Sequence, residues 1–140
     1  MQLPVKVHYA TLALLAMAKV HGSGQRIGAK AIAEQHGIPT QFLIQILQQL
    51  RAAGLIHGVR GAQGGFCLAR SPASITLLDV VEAICPADNQ PAAPSASDPL
   101  AAAAQEVWCE LAAQQRALLE SRTLAQLVER SQSAGQMFYI

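Results

Sequence analysis

The sequence predicts a mainly α-helical protein with one small β-hairpin and a long helix in its C-terminal part. Three observations support this fold class. Apolar residues recur at steps of three and four in several segments, the period of an amphipathic helix. The stretch VRGAQGGFCLAR places several glycines between two short apolar runs, and a Pro-rich stretch precedes the last forty or so of the 140 residues. This length is usual for a single domain.

The first predicted helix runs from Val5 to Val20 and stops before Gly22. It is apolar on nearly every side, so we expect it to be buried on every face. Its run from Tyr9 to Ala18 also imitates a short signal peptide with an Ala-Met-Ala cleavage site. That run is far below the ~20 residues of a membrane span. A buried helix is the preferred interpretation, and no membrane partner is expected.

Two further helices follow, separated only by Gly37-Ile38-Pro39, which is the spacing of a helix-turn-helix. The first covers residues 28–36. The second begins near Pro39, ends at Gly54, and has its apolar residues at helical steps: Phe42, Leu43, Ile46, Leu47 and Leu50. Its outward face is rich in amides, which both donate to and accept from base edges in a DNA major groove. These outward residues are Thr40, Gln41, Gln45, Gln48, Gln49 and Arg51.

The glycine stretch lies between the apolar runs Leu55-Ile56 and Phe66–Ala69, which predicts a β-hairpin. The alternative is a phosphate-binding loop, which requires GxxxxGK[ST] or GxGxxG spacing and a helix directly after the glycines. Neither spacing occurs. A hairpin directly after a helix-turn-helix is the wing of a winged helix. The sequence therefore predicts a winged helix-turn-helix DNA-binding domain over residues 1–84.

Charge is distributed unevenly along the chain. Residues 1–72 have a net charge of +6 and residues 73–140 a net charge of −5. A basic half suits a polyanionic partner such as double-stranded DNA, whereas the alternative is chance segregation on a solvated surface. The three scattered cysteines do not form a disulfide framework and indicate a reducing, cytoplasmic location.

These features together resemble the Rrf-two family of bacterial winged helix-turn-helix transcription regulators, whose members include IscR, NsrR and CymR. The most specific match is the wing motif Arg60-Gly61-x-x-Gly64-Gly65-Phe66-x-Leu68-Ala69-Arg70. The other matches follow in order over nearly the whole chain: Tyr9-Ala10, Ala31–Glu34, Gly37-Ile38-Pro39, Phe42-Leu43, Leu50–Leu55, Ile75-Thr76-Leu77 and Thr123-Leu124-x-x-Leu127. The resemblance implies a homodimer that binds a near-palindromic operator and has no catalytic activity.

We expect the base edges of the major groove to be read by Thr40, Gln41, Ile44 and Gln45, with Gln48, Gln49 and Arg51 also at the DNA. The resemblance implies that Arg60, at the wing tip, enters the minor groove. It also aligns Ile44 with a glutamate that reads sequence in the family. Isoleucine cannot accept a hydrogen bond from cytosine but can contact thymine methyl groups, so the operator is expected to differ. The alternative for Ile44 is ordinary packing.

After a short helix from Thr76 to Ile84, capped by Thr76, residues 85–99 are expected to form a flexible effector or sensor loop that contains four prolines. Residues 100–140 are expected to hold a dimerisation helix, a last helix capped by Thr123 with Gln126, and a docked apolar tail, Met137–Ile140. The long helix carries an apolar seam at steps of four and three: Leu100, Ala104, Val107, Leu111, Gln114 and Leu118. The resemblance implies that the seam pairs two copies, and packing within one chain is the alternative.

The sequence does not determine whether the protein binds a cofactor. Cluster-binding family members hold three cysteines in the sensor loop, whereas this chain has only Cys85 there. Some relatives use mixed ligands, which makes a [2Fe–2S] site from Cys85, Cys109, His8 and His36 one hypothesis. The alternatives are a Cys85 thiol that becomes oxidised, a small effector, ordinary packing of Cys109, and no cofactor.

Two function classes remain. One is the transcription regulator, for which a response to redox state or to an iron–sulfur cluster is the hypothesis given above. The other is a regulator that complexes a metabolic enzyme through the acidic C-terminal half and shows no operator preference. An enzyme is not expected, because the sequence contains no phosphate loop, catalytic-triad order or closed metal motif.

Overall fold

The computed structural model describes residues 3–61, 64–86 and 98–138, with side chains described as far as residue 134. The described chain forms six α-helices, one short 3-10 turn and one two-stranded antiparallel sheet. In chain order these are α1 (Val5–Lys19), α2 (Ala29–His36), α3 (Thr40–Ala52), β1 (Ile56–Val59), β2 (Gly65–Leu68), the 3-10 turn (Pro72–Ser74), α4 (Leu77–Ile84), α5 (Pro99–Ser121) and α6 (Leu124–Phe138). The predicted mainly α fold with one hairpin is confirmed.

Helix α1 is the centre of the core. It packs against α3, α4, α6 and β2, and Ala10, Ala13, Leu14 and Met17 are fully buried. The alanines let neighbouring helices approach closely while Leu14 and Met17 fill the space between them. The prediction of burial on every face is wrong for the first turn, where Val5 is 56% exposed. That turn projects to the rim of a groove between α1, α4, α5 and α6, and no described element covers it.

The helix-turn-helix forms as predicted. Helix α2 ends at Gly37, which adopts a left-handed conformation and donates its N–H to the carbonyl of Ala33. Pro39 precedes α3 as its cap residue instead of occupying its first turn. Phe42 is 43% exposed, which contradicts its predicted inward position. At 3.6 residues per turn it lies roughly 90° around α3 from the middle of the buried residues Leu43, Ile46, Leu47 and Leu50.

The hairpin of β1 and β2, called the wing below, is attached to the body by one additional bridge. Its register pairs Ile56 with Leu68 and Val59 with Gly65. Ile27 exchanges two backbone hydrogen bonds with Phe66, at N–O distances of 3.0 and 2.8 Å. Gly65 has a φ of 149°, and a Cβ atom there would lie 2.9 Å from the carbonyl carbon and oxygen of Ile27. A glycine is therefore required where the wing meets the body.

The predicted capping box of α6 is present, and the predicted Thr76 cap of α4 is part of a second capping box. Thr76 and Asp79 exchange side-chain to backbone hydrogen bonds at the start of α4, and Thr123 and Gln126 do so at the start of α6. The two helix starts are joined, because Leu77 N–H donates to the Arg122 carbonyl and Leu124 N–H donates to the Ile75 carbonyl. We call this pair of hydrogen bonds the Thr76–Thr123 bridge. It connects the C-terminal helices to the helix-turn-helix part.

Helix α5 is the least covered element. It contains no buried residue, and its contacts with α4 include an ion pair between Arg116 and Glu82, with 3.1 Å between nitrogen and oxygen. Asp98 caps its start. Most of the predicted loop 85–99 and the side chains of the predicted docked tail Met137–Ile140 lie outside the described residues. In the described part, none of the helices combines the length and apolarity needed to span a bilayer.

Candidate nucleic-acid interface

Three glutamines of α3 form one exposed strip. At 3.6 residues per turn, Gln41, Gln45 and Gln48 lie on the side of the helix opposite its buried residues, and all three are exposed, as is Thr40 in the first turn. We call Gln41, Gln45 and Gln48 the amide strip. The helix can expose these polar residues because its opposite face is anchored in the core by leucines and isoleucine.

Ile44 and Arg51 lie on the side of α3 that faces the wing. Ile44 is 48% exposed and lines a shallow pocket together with Ala29, Leu47 and Phe66. Half of the side chain therefore packs against the base of the wing, while the other half faces outward. An aliphatic surface beside the amide strip offers contact to an apolar group and no hydrogen bond.

The opposite side of the amide strip meets the first turn of α1. Lys6 Nζ donates to Gln45 Oε1 at 3.3 Å, and Lys6 lines a groove with Gln45, Gln48 and Gln49. Gln49 is half-buried, and its Oε1 atom is buried with no hydrogen-bond partner among the described residues. The role of Lys6 was not predicted from the sequence. Its position in the first turn of α1, as the one Lys, Arg, Asp or Glu among residues 5–18, was the available signal.

Arg60 lies at the end of β1 and is exposed. Gly61 follows with a φ of 119°, a conformation that favours glycine and turns the chain at the tip of the wing. Further exposed cations in this half are Lys19, Arg26, Lys30 and Arg51, and Glu34 is the one acid before residue 72. Arg70 points elsewhere, since it hydrogen-bonds the Ser74 carbonyl and lies 3.8 Å from Asp79. Arg51 on α3 and Arg60 at the wing tip thus add positive charge to the helix-turn-helix and the wing.

The four residues of the cluster hypothesis have different environments. Cys85 is half-buried at the end of α4, and His8 is exposed on α1. His36 is half-buried, and its Nε2 atom has no hydrogen-bond partner among the residues that the structure describes. Cys109 is exposed, so the alternative of ordinary packing is wrong for it within one chain. Among the residues described for one chain, no three His, Cys, Asp or Glu side chains come together to hold a metal ion.

The apolar seam of α5 is uncovered. The exposed fractions are 83% for Leu100, 52% for Val107, 44% for Leu111 and 57% for Leu118, and Ala104 is also exposed. In the described part of one chain the seam is therefore not packed against another element, which contradicts the alternative of packing within one chain there. Trp108, beside the seam, is 55% exposed and was not singled out from the sequence. Contiguous exposed apolar surface of this kind marks an interaction site.

Comparison with known proteins gives consistent matches. A family model named Rrf2 and described as "Iron-dependent Transcriptional regulator" matches residues 3–130. The HTH-type transcriptional regulator CymR of Bacillus subtilis is 29% identical over 143 residues, which cover all of both chains. Protein rrf2 of Nitratidesulfovibrio vulgaris is 33% identical over 132 residues, covering 91% of this chain and 87% of that protein.

Two solved structures share the fold over nearly the whole chain. The structure of CymR, the global cysteine regulator of B. subtilis, has a TM-score of 0.80 at 27% identity and covers 93% of this chain and 98% of that one. The structure of T. potens IscR has a TM-score of 0.79 at 29% identity and covers 96% of this chain and 90% of that one.

Proposed function

Because the chain belongs to the Rrf2 (Rrf-two) family of HTH-type transcriptional regulators, and is therefore not an enzyme, we propose that it is a homodimer that recognises a near-palindromic operator in double-stranded DNA. The observation that carries this proposal is the exposed amide strip between Lys6 on one side and the wing on the other. Double-stranded chromosomal DNA as the partner implies action in the cytoplasm.

Three kinds of DNA contact are proposed. The base edges of the major groove are contacted by the start and exposed side of α3, namely Thr40, Gln41, Ile44 and Gln45. The DNA backbone is contacted by Gln48, Gln49 and Arg51. Arg60 enters the minor groove, whose negative potential attracts arginine where the groove is narrow. The side-chain oxygen of Gln49 is buried, which leaves its amide nitrogen as the group for a phosphate.

The homodimer is proposed to form through the α5 seam in an antiparallel arrangement. Leu100 and Leu118, Ala104 and Gln114, and Val107 and Leu111 are pairwise equidistant from residue 109. A two-fold axis at that level therefore brings each seam residue opposite another seam residue. In this arrangement the first half of α5, which α4 does not cover, packs over the second half of the partner's α5. The second half contacts α4 in its own subunit. The two copies of α3, the helices proposed to enter the major groove, would then lie about 34 Å apart, which is one turn of DNA, or a multiple of that distance.

Residues 85–99 are proposed as the sensor segment. A [2Fe–2S] cluster held by Cys85, Cys109, His8 and His36 would need ligands from both subunits, because one chain brings no three such groups together in its described part. Oxidation of the Cys85 thiol and regulation without a cofactor are the alternatives. Spectra of anaerobically purified protein distinguish them, since visible absorption with matching iron and sulfide supports the cluster and colourless protein supports the alternatives.

Selection from a random DNA library tests the function directly. Repeated rounds of binding and sequencing should enrich a near-palindrome with two half-sites. The second candidate, a regulator that complexes a metabolic enzyme, is favoured by the net charge of −5 over residues 73–140. A protein of that class would enrich no DNA sequence, and this outcome would refute the operator proposal.

A further inference from the structure

The contact between Lys6 and Gln45 joins two residues 39 positions apart. Gln45 is the middle residue of the amide strip, and among the described residues it alone in the strip has a side-chain hydrogen-bond partner. Lys6 is half-buried, and its stem lies along a groove bordered by Gln48, Gln49 and Ala52. A cation from α1 is therefore attached to the centre of the surface that faces DNA in the proposed function.

A free glutamine amide suits adenine. Its oxygen accepts from the adenine amino group while its nitrogen donates to N7, and this reading requires both ends of the amide. In the present geometry Oε1 of Gln45 already accepts from the Lys6 ammonium. A base amino group that approached this oxygen would also approach a positive charge, and both groups are donors. The oxygen retains a second lone pair, but the ammonium disfavours a further donor beside it. The end of Gln45 that suits a base is therefore its Nε2 amino group, with the Lys6 ammonium beside it.

We propose that Lys6 is a positioning residue that makes Gln45 a donor-only reader of bases. Lysine and amide donors side by side match the two acceptors of guanine, O6 and N7, and no other base presents two acceptors in the major groove. The base preferred at the Gln45 position is thus guanine, set by a residue of α1. This inference rests on the proposed DNA-reading function and specifies one base within it.

The test compares base preference by selection from a random library and by direct competition between guanine and adenine operators. The informative variant is Lys6→Met, which keeps an unbranched stem and removes the ammonium. Gln45→Ala identifies the operator position that Gln45 reads. Lys6→Arg keeps a cationic donor and should keep the guanine preference. Lys30→Met is the matched control, because Lys30 is an exposed lysine of the same basic half on α2.

Lys6→Met is expected to reduce the preference for guanine over adenine about tenfold at the position identified by Gln45→Ala, within the range for one bidentate contact. Lys30→Met should lower affinity equally for both operators. A Lys6→Met protein whose affinity falls uniformly with the guanine preference intact would show Lys6 to be a phosphate contact and overturn the inference. Unaltered protein that enriches no sequence would overturn the DNA-reading function itself, a result distinct from the first.

Discussion

Side chains at the candidate DNA interface differ in the chemistry they offer to a base. The amide strip provides hydrogen bonds, whereas Ile44 provides half-exposed aliphatic surface beside Phe66 and Ala29. A thymine methyl group that packs against Ile44 would lose contact with water, and one buried methyl contributes about 0.8 kcal/mol. The same position occupied by a glutamate would instead accept a hydrogen bond from cytosine.

Replacing thymine by deoxyuridine, which lacks the methyl group, tests Ile44. In each half-site, removing the methyl group of one thymine should weaken binding by the unaltered protein by about 0.8 kcal/mol. The Ile44→Ala variant should be insensitive to that replacement and remain sensitive to changes at the Gln45 position. Fluorescence anisotropy with single-site substituted operators measures both. Equal methyl dependence in the two proteins would exclude contact with Ile44.

Arg60 is the residue of the wing tip with the clearest expected role. Arg60→Ala should weaken specific operator binding by roughly 1–3 kcal/mol, the scale of one good groove contact. Arg130→Ala is the matched control, because Arg130 is an exposed arginine on α6, outside the basic half. Titration of the operator with each variant gives the two free energies. If the losses are equal, the wing does not enter a groove.

At the scale of elements, the wing depends on its attachment to the body. Gly65→Ala would bring a Cβ atom to 2.9 Å from the Ile27 backbone at a φ of 149°. Such strain typically costs on the order of 1–3 kcal/mol. We expect a lower urea midpoint and weaker operator binding, with helix content retained by circular dichroism. Gly28→Ala is the control, since Gly28 has a φ of −75° and open space around it. Equal stability of the two variants would contradict a tight wing junction.

Local patterns predicted most elements well. The helices α2, α3 and α4, the wing and both capping boxes depend on periodicity, glycines and caps that lie within a few residues of one another. The apolar pattern predicted side-chain burial less well where that burial depends on elements distant in sequence. Phe42 belongs to the apolar period of α3, yet no neighbouring element covers its side. The contact of Lys6 with Gln45 spans 39 residues, so the local pattern shows an isolated cation in α1 but not the residue that it contacts.

At the scale of the whole molecule, the seam of α5 is exposed in the described part of a single chain, and the proposed dimer would cover it. Leu111→Glu would place a carboxylate in each half of the proposed dimer interface, and burying an unpaired charge costs several kcal/mol. We expect this variant to be monomeric or poorly folded and to lose full-site binding, although every proposed DNA contact is retained. Sedimentation equilibrium and operator titration measure the two properties.

Ala113→Glu is the control for this experiment. Ala113 is also exposed on α5. It comes two residues after Leu111 and therefore lies roughly 200° around the helix from it. The control should remain dimeric and bind the operator. A folded Leu111→Glu monomer that binds a full site as tightly as the unaltered protein would refute dimerisation through the seam.

The Thr76–Thr123 bridge fixes one end of α5, called its root below, so a small rotation at the root moves the other end a long way. The helix has 23 residues, or about 35 Å at 1.5 Å per residue, and its root is fixed beside the bridge by Leu77 and Arg122. A turn of 5° at the root therefore moves the far end by about 3 Å. In the proposed dimer, the angle between the two copies of α3 would be most sensitive at the root. A substitution of one small side chain there would change the preferred operator spacing more than the same substitution further along α5.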